Sequence, residues 1–167
     1  MELCLRAKDE RGLSDDALRM GLEGLLASRP AKKVLIVPPD YTRYHSKAGF
    51  ITNVCYHHYA DRGAEVDILP ALGTHVPVTE SEAADMFGDI PYGRFLRHNW
   101  RADVVKLGEV PGEYLAEITG GLWSAPISVE INRRVMDESY DLILSPGQVV
   151  PHEVIGMANQ AKNLFVG

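Results

Sequence analysis

Short apolar runs recur along the chain, and three of them stop at once against a polar cluster. Val34-Leu35-Ile36-Val37 leads into Pro38-Pro39-Asp40-Tyr41-Thr42-Arg43. Val66-Asp67-Ile68-Leu69 leads into Leu72-Gly73-Thr74-His75-Val76-Pro77-Val78-Thr79. Leu142-Ile143-Leu144 leads into Ser145-Pro146-Gly147-Gln148 and then Pro151-His152-Glu153. Runs this short, apolar and β-branched predict buried strands rather than helices. If the three strands lie parallel in one sheet, their polar clusters share its carboxyl edge, where open α/β sheets bind ligands.

Between these runs the apolar spacing changes to the helical period. Ser14-Asp15-Asp16 ahead of Leu18, Leu22, Leu25 and Leu26 predicts a capped amphipathic helix that ends at Arg29-Pro30. Residues 46–62, with Phe50, Ile51, Val54 and Cys55 on one side and Gly63 behind, predict a second. Thr79-Glu80-Ser81-Glu82 is a capping box that opens a third, stopping near Gly88. Beyond it, 91–100 reads as short helix or loop and 104–107 as a strand. Tyr114–Thr119 and Ile127–Ile131 read as a small hairpin around Gly120-Gly121, and 132–140 as helical. The alternation predicts an α/β fold: a mostly parallel, Rossmann-like sheet with helices on both faces and a small β-hairpin insertion.

A chain of 167 residues has room for a single α/β domain with a sizeable core. Its formal charge of −6 argues against nucleic acid as a partner, which calls for a concentrated basic face. No apolar run approaches the roughly 20 residues that span a bilayer. With two cysteines and no secretory h-region, a reduced, cytoplasmic protein is the expectation. The apolar close at Leu164-Phe165-Val166 predicts that this is the N-terminal domain of a longer, two-domain protein.

Each cluster carries chemistry that a structural role also explains. Arg43 offers a planar fork to a carboxylate or phosphate, and Asp40 either orients it or takes a ribose hydroxyl; a surface salt bridge accounts for the same pair. His75 and His152 are candidate proton-transfer groups near neutral pH, or histidines held in rigid turns. Lys162 is a candidate for phosphate binding or a covalent adduct, though a lone lysine is most often solvated. His45 carries no signal of its own. His57 and His58 are adjacent on a helix and so face different ways, which points to solvent or packing, and His98 reads as a loop residue. There is no dinucleotide fingerprint or phosphate loop, and no histidine pair has helical zinc spacing.

The order of these clusters resembles the N-terminal domain of the nickel-dependent lactate racemase family, from about Val34 to the end. The likeness rests on Pro39-Asp40-Tyr41-Thr42-Arg43, Gly73-Thr74-His75-Val76-Pro77-Val78-Thr79, Asn132-Arg133-Arg134-Val135, Pro151-His152 and Lys162. It implies a racemase or epimerase of a small α-hydroxy acid that works through a nickel-pincer nucleotide (pyridinium-3,5-bisthiocarboxylic acid mononucleotide nickel). By this resemblance Lys162 is the covalent tether, His75 and His152 are the proton-transfer pair, and Arg43 binds the substrate carboxylate. Asp40 and Thr42 fall in a motif that helps hold substrate or cofactor. The family's nickel-ligating histidine lies downstream of the tether, so no metal ligand is expected in this chain. Cofactor and activity are expected only in the full-length protein, where a C-terminal domain closes the cleft, and the isolated piece is expected to be inactive. The family's Gly-Gly pair before the tether is replaced here by Asn159-Gln160-Ala161, which suggests a substrate other than lactate.

Two other function classes fit the same residues. One is a non-catalytic nucleotide- or carboxylate-binding domain of the same fold. The other is a hydrolase or lyase built on His75, His152 and Asp40 around a divalent metal, although no spacing favours it. Substrate identity stays open in the sequence, and exposure of the surface that meets the second domain makes homo-oligomers an expected partner state.

Overall fold

The run at 34–37 becomes the central strand of the protein, and all four side chains are buried. In a computed structural model that describes residues 2–167, the elements run α1 (Asp15–Ala27), β1 (Lys33–Ile36), a 3-10 stretch at Tyr41–Ser46, α2 (Ala48–Ala60), β2 (Glu65–Ile68) and α3 (Glu80–Phe87). Then come β3 (Val104–Val110), α4 (Gly112–Ile118), β4 (Ile127–Asn132), β5 (Leu142–Leu144), β6 (Pro151–His152), β7 (Gly156–Met157) and α5 (Ala161–Phe165).

The sheet has the order β2-β1-β5, and both pairings are parallel. Val34 lies opposite Val66 on one side and Leu142 on the other. Central placement explains why β1 is apolar without alternation: both of its faces are covered. Val34, Ile36, Val66 and Ile68 face a core closed by Leu26 of α1, Cys55 and Tyr59 of α2, and Met86 and Phe87 of α3. Leu35, Val37 and Leu69 face the opposite layer, which is thinner: Tyr140, Leu96, Val135 and Leu164 of α5. Burying one such aliphatic side chain contributes about 2 kcal/mol, so β1 is the most heavily anchored segment of the site.

The capped helices follow the sequence closely. The Ser14 hydroxyl accepts from the Ala17 amide, and Thr79 and Glu82 complete a reciprocal capping box. Gly63 turns the chain at φ +83° after α2, as a helix stop requires.

Two expectations fail. Tyr114–Thr119 is not a strand but falls largely in α4, with Pro111 at its N-cap and Leu115 packed inward. The hairpin instead joins β3 to β4 antiparallel, with α4 lying between them in the chain. Helical geometry over 132–140 shrinks to the short 3-10 turn Arg133–Met136. Here the Asn132 side chain accepts from the Arg134 amide, a local bond that ends β4 and opens only one turn.

Candidate active site

Parallel pairing puts the carboxyl ends of β1, β2 and β5 side by side, and hydrogen bonding continues past the strands. Leu69 N donates to Ile36 O at 2.8 Å, Ala71 N to Pro38 O at 2.8 Å and Val37 N to Leu144 O at 2.7 Å. The ladder thus delivers Asp40 and Gly73 to one edge. Gly73 takes φ +56°, and a Cβ there would press on the Val166 carbonyl, so the turn that presents His75 needs glycine.

A cavity of about 440 Å³ opens at this edge. Its wall includes Asp40, Thr42, Arg43, His75, His152 and Lys162, so the six residues given a candidate site role from the sequence meet in one hollow. It adds His45 and Glu153.

The contacts within the cavity differ from expectation at Asp40. This carboxylate does not orient Arg43. It is buried, with Oδ2 2.6 Å from Nδ1 of His75 and Oδ1 accepting from the Thr42 hydroxyl at 2.5 Å. Arg43 lies in the exposed 3-10 stretch beyond, and among the described residues its guanidinium has no hydrogen bond or ion pair. An unengaged guanidinium at a cavity wall is set up to take an anion.

His152 is largely buried. Its Nδ1 accepts from the backbone N–H of Val154 at 3.1 Å and lies 3.6 Å from a Glu153 oxygen. The glutamate's own amide, the neighbouring His152 and the cations Arg43 and Lys162 hold the exposed Glu153 carboxyl below its usual range. Lys162 is half-buried on α5, and its amine has no protein partner among the described residues. Asn159 and Asn163, assigned no structural role from the sequence, fasten this helix. Asn163 donates to Asn159 Oδ1 at 2.7 Å, Ser145 donates to the same oxygen at 3.2 Å, and both asparagines are buried. Two asparagines four residues apart, one just before the short helix and one within it, are the sequence trace of this brace.

The remaining histidines play structural parts. His57 sits 2.8 Å from Asp89, His58 is buried between helices, and His98 accepts from the Asn132 amide at 2.8 Å. Burial pushes the Cys55 thiol up to about 12, so it is no nucleophile. Among the described residues no three His, Cys, Asp or Glu side chains gather closely enough to hold a metal ion. That donor geometry removes the support for a three-ligand zinc site from His75, His152 and Asp40. Nor is any helix among them long and apolar enough to cross a membrane.

Comparison with known proteins adds to this picture. A family profile described as the lactate racemase N-terminal domain matches residues 16–167. A crystal structure of a Thermotoga maritima protein superposes with a TM-score of 0.78 at 27% identity, over 90% of this chain and 36% of that one. The lactate racemase apoprotein from Thermoanaerobacterium thermosaccharolyticum superposes with a TM-score of 0.59 at 23% identity, over 87% of this chain and 32% of that one. The chain therefore spans about a third of the length of each of these proteins. No curated protein matches it.

Proposed function

The chain belongs to the lactate racemase N-terminal domain family, and on that premise we propose that it is the N-terminal part of a racemase or epimerase of a small α-hydroxy acid. The observation that carries this reading is the meeting of two imidazoles, a guanidinium and a lysine amine in one cavity at the sheet edge. Arg43 holds the substrate carboxylate through its fork while the neighbouring carbon changes geometry. His75 and His152 handle the hydroxyl proton, one imidazole for each hand of the substrate.

What supports the family's cofactor here is a lysine amine, without a protein partner among the described residues, in the wall of a cavity of about 440 Å³. Lys162 is the residue that would hold a nickel-pincer nucleotide covalently, with Thr42 and Asp40 in the wall beside it. When bound, that group supplies an acceptor for the α-hydride of the substrate. Among the described residues no three His, Cys, Asp or Glu side chains gather to hold a metal ion, and the resemblance places the family's nickel-ligating histidine downstream of the tether. A C-terminal domain closing the cleft, a cytoplasmic setting and homo-oligomeric assembly complete the proposal.

The test uses the full-length protein co-expressed with the cofactor-synthesis enzymes. The mass of the Lys162 peptide and racemisation of a panel of 2-hydroxy acids are measured together. Expected are an adduct on Lys162 and turnover of at least one acid. Lys162→Ala, His75→Ala and His152→Ala should each reduce turnover by on the order of 100-fold or more. A protein with neither adduct nor turnover is a non-catalytic carboxylate or nucleotide binder. Turnover by the 167-residue chain alone would refute the expectation that it needs a second domain.

A further inference from the structure

We propose that the two cavity imidazoles rest in opposite tautomers, and that Asp40 is the positioning residue that makes His75 the proton acceptor of the pair.

The assignment follows from which partner can donate. Asp40 is buried, and its Oδ2 lies 2.6 Å from Nδ1 of His75. A carboxylate only accepts, so the ring must donate and Nδ1 carries the proton. Its other oxygen already accepts from Thr42, which fixes the carboxylate plane. In a neutral imidazole the proton at Nδ1 leaves a lone pair at Nε2, and that nitrogen has no protein partner among the described residues.

His152 meets the reverse situation. Its Nδ1 lies 3.1 Å from the backbone nitrogen of Val154. A backbone amide only donates, so Nδ1 must accept and the neutral ring carries its proton on Nε2. The contact is built into the turn between β6 and β7, where Gly156 takes φ +82°. Glu153 is the one competing group close to this nitrogen, at 3.6 Å, outside hydrogen-bond range and mostly exposed. The other titratable groups of the wall are Arg43, His45 and Lys162, and none bonds either imidazole.

The consequence rests on the α-hydroxy-acid reading. A substrate hydroxyl donates to Nε2 of His75. On transfer the O–H bond breaks, an Nε2–H bond forms, and the imidazolium lies against the Asp40 carboxylate. His152 meanwhile offers its Nε2–H to a substrate oxygen and stays neutral. To deliver a proton it must first gain one from solvent at Nδ1, which breaks the bond from Val154 and turns that nitrogen toward Glu153. The two histidines are therefore unequal at rest: one accepts a proton, the other donates a hydrogen bond.

Imidazole nitrogen NMR on the 15N-labelled chain reads this without cofactor or substrate, with His75→Gln and His152→Gln to assign the signals. At a pH where both rings are neutral, His75 should show a protonated Nδ1 and a bare Nε2, and His152 the reverse. Asp40→Ala should return His75 toward the Nε2–H form that free histidine prefers and leave His152 unmoved. Val154→Pro, which removes the donor at the other ring, should release His152 alone, and it carries the test if Asp40→Ala does not fold. The same tautomer at both rings, or a bare Nδ1 on His75, overturns the proposal. Correct tautomers in a full-length protein that racemises nothing would instead overturn the proposed function and leave this assignment standing.

Discussion

Asn159 and Gln160, the two residues just before α5, both have positive φ, at 59° and 48°. They fall in the stretch Asn159-Gln160-Ala161 that stands in place of the resembled family's Gly-Gly pair, yet they should respond to glycine in opposite directions. Gln160 has ψ −128°, a region that residues with a Cβ rarely enter, and such a residue stores about 1–3 kcal/mol. Gln160→Gly relieves that strain but adds freedom to the unfolded chain worth about 0.5–1 kcal/mol. The net expectation is a gain of about 1 kcal/mol. Asn159 is different, because asparagine tolerates left-handed backbone and this side chain is engaged. Its Oδ1 accepts from Asn163 at 2.7 Å and from Ser145 at 3.2 Å. Gly147 leaves room for it, since a Cβ there would come within 2.7 Å of the Asn159 amide carbon. Asn159→Gly leaves the buried Asn163 amide without its acceptor, at a cost of about 1–3 kcal/mol. Urea unfolding of the two variants checks both signs through the midpoints, provided the slope is unchanged. A stabilised Asn159→Gly, or a destabilised Gln160→Gly, would show that the brace on the Lys162 helix does not rest on these two residues as described.

Three further outcomes are expected from the same contacts. Gly49→Ala places a Cβ against the Met86 carbonyl at the α2–α3 contact; because backbone cannot yield as a side chain does, urea unfolding should report a loss of about 3 kcal/mol. Thr79→Ala removes the hydroxyl that accepts from the Glu82 amide and should lower stability by about 1 kcal/mol, read as a shift in thermal midpoint. His58 is buried, its Nδ1 has no partner among the described residues, and desolvation with nearby Arg62 lowers its pKa against a weaker opposing pull from Glu23. The unfolded chain therefore binds the proton more readily than the folded one. Stability is fully present above the ordinary histidine value of about 6.5 and is lost as pH falls below it. His98 shifts in the same direction through burial, so His58→Leu should flatten this acid slope without abolishing it, and an unchanged slope would take His58 out of the account.

The parts of this protein that were legible in its sequence are those fixed by local chemistry. The unbroken apolar run at Val34–Val37 marks a strand covered on both faces, and Thr79 with Glu82 marks a helix start because both halves of the reciprocal bond lie within one turn. Strand ends then locate the cavity, since parallel neighbours must share an edge. Segments that failed had competing local signals. Tyr114 and Ile118 have strand propensity, but Leu115 finds a buried place only if the segment coils behind Pro111, and burial outweighs propensity. Partnerships within the cavity were not legible at all. Asp40 and Arg43 are three residues apart, and proximity along the chain made them the obvious pair. The partner that Asp40 takes is His75, 35 residues away, brought within reach by a strand register that no short window contains. A buried carboxylate needs donors at both oxygens; the Thr42 hydroxyl and the His75 imidazole supply them, and the Arg43 guanidinium bonds neither. Arg43 is thereby left free to meet an anion from solvent. The same packing requirement that hid the pair from the sequence leaves one guanidinium and one imidazole nitrogen unspent at the cavity wall, which is what the proposed hydroxy-acid site requires.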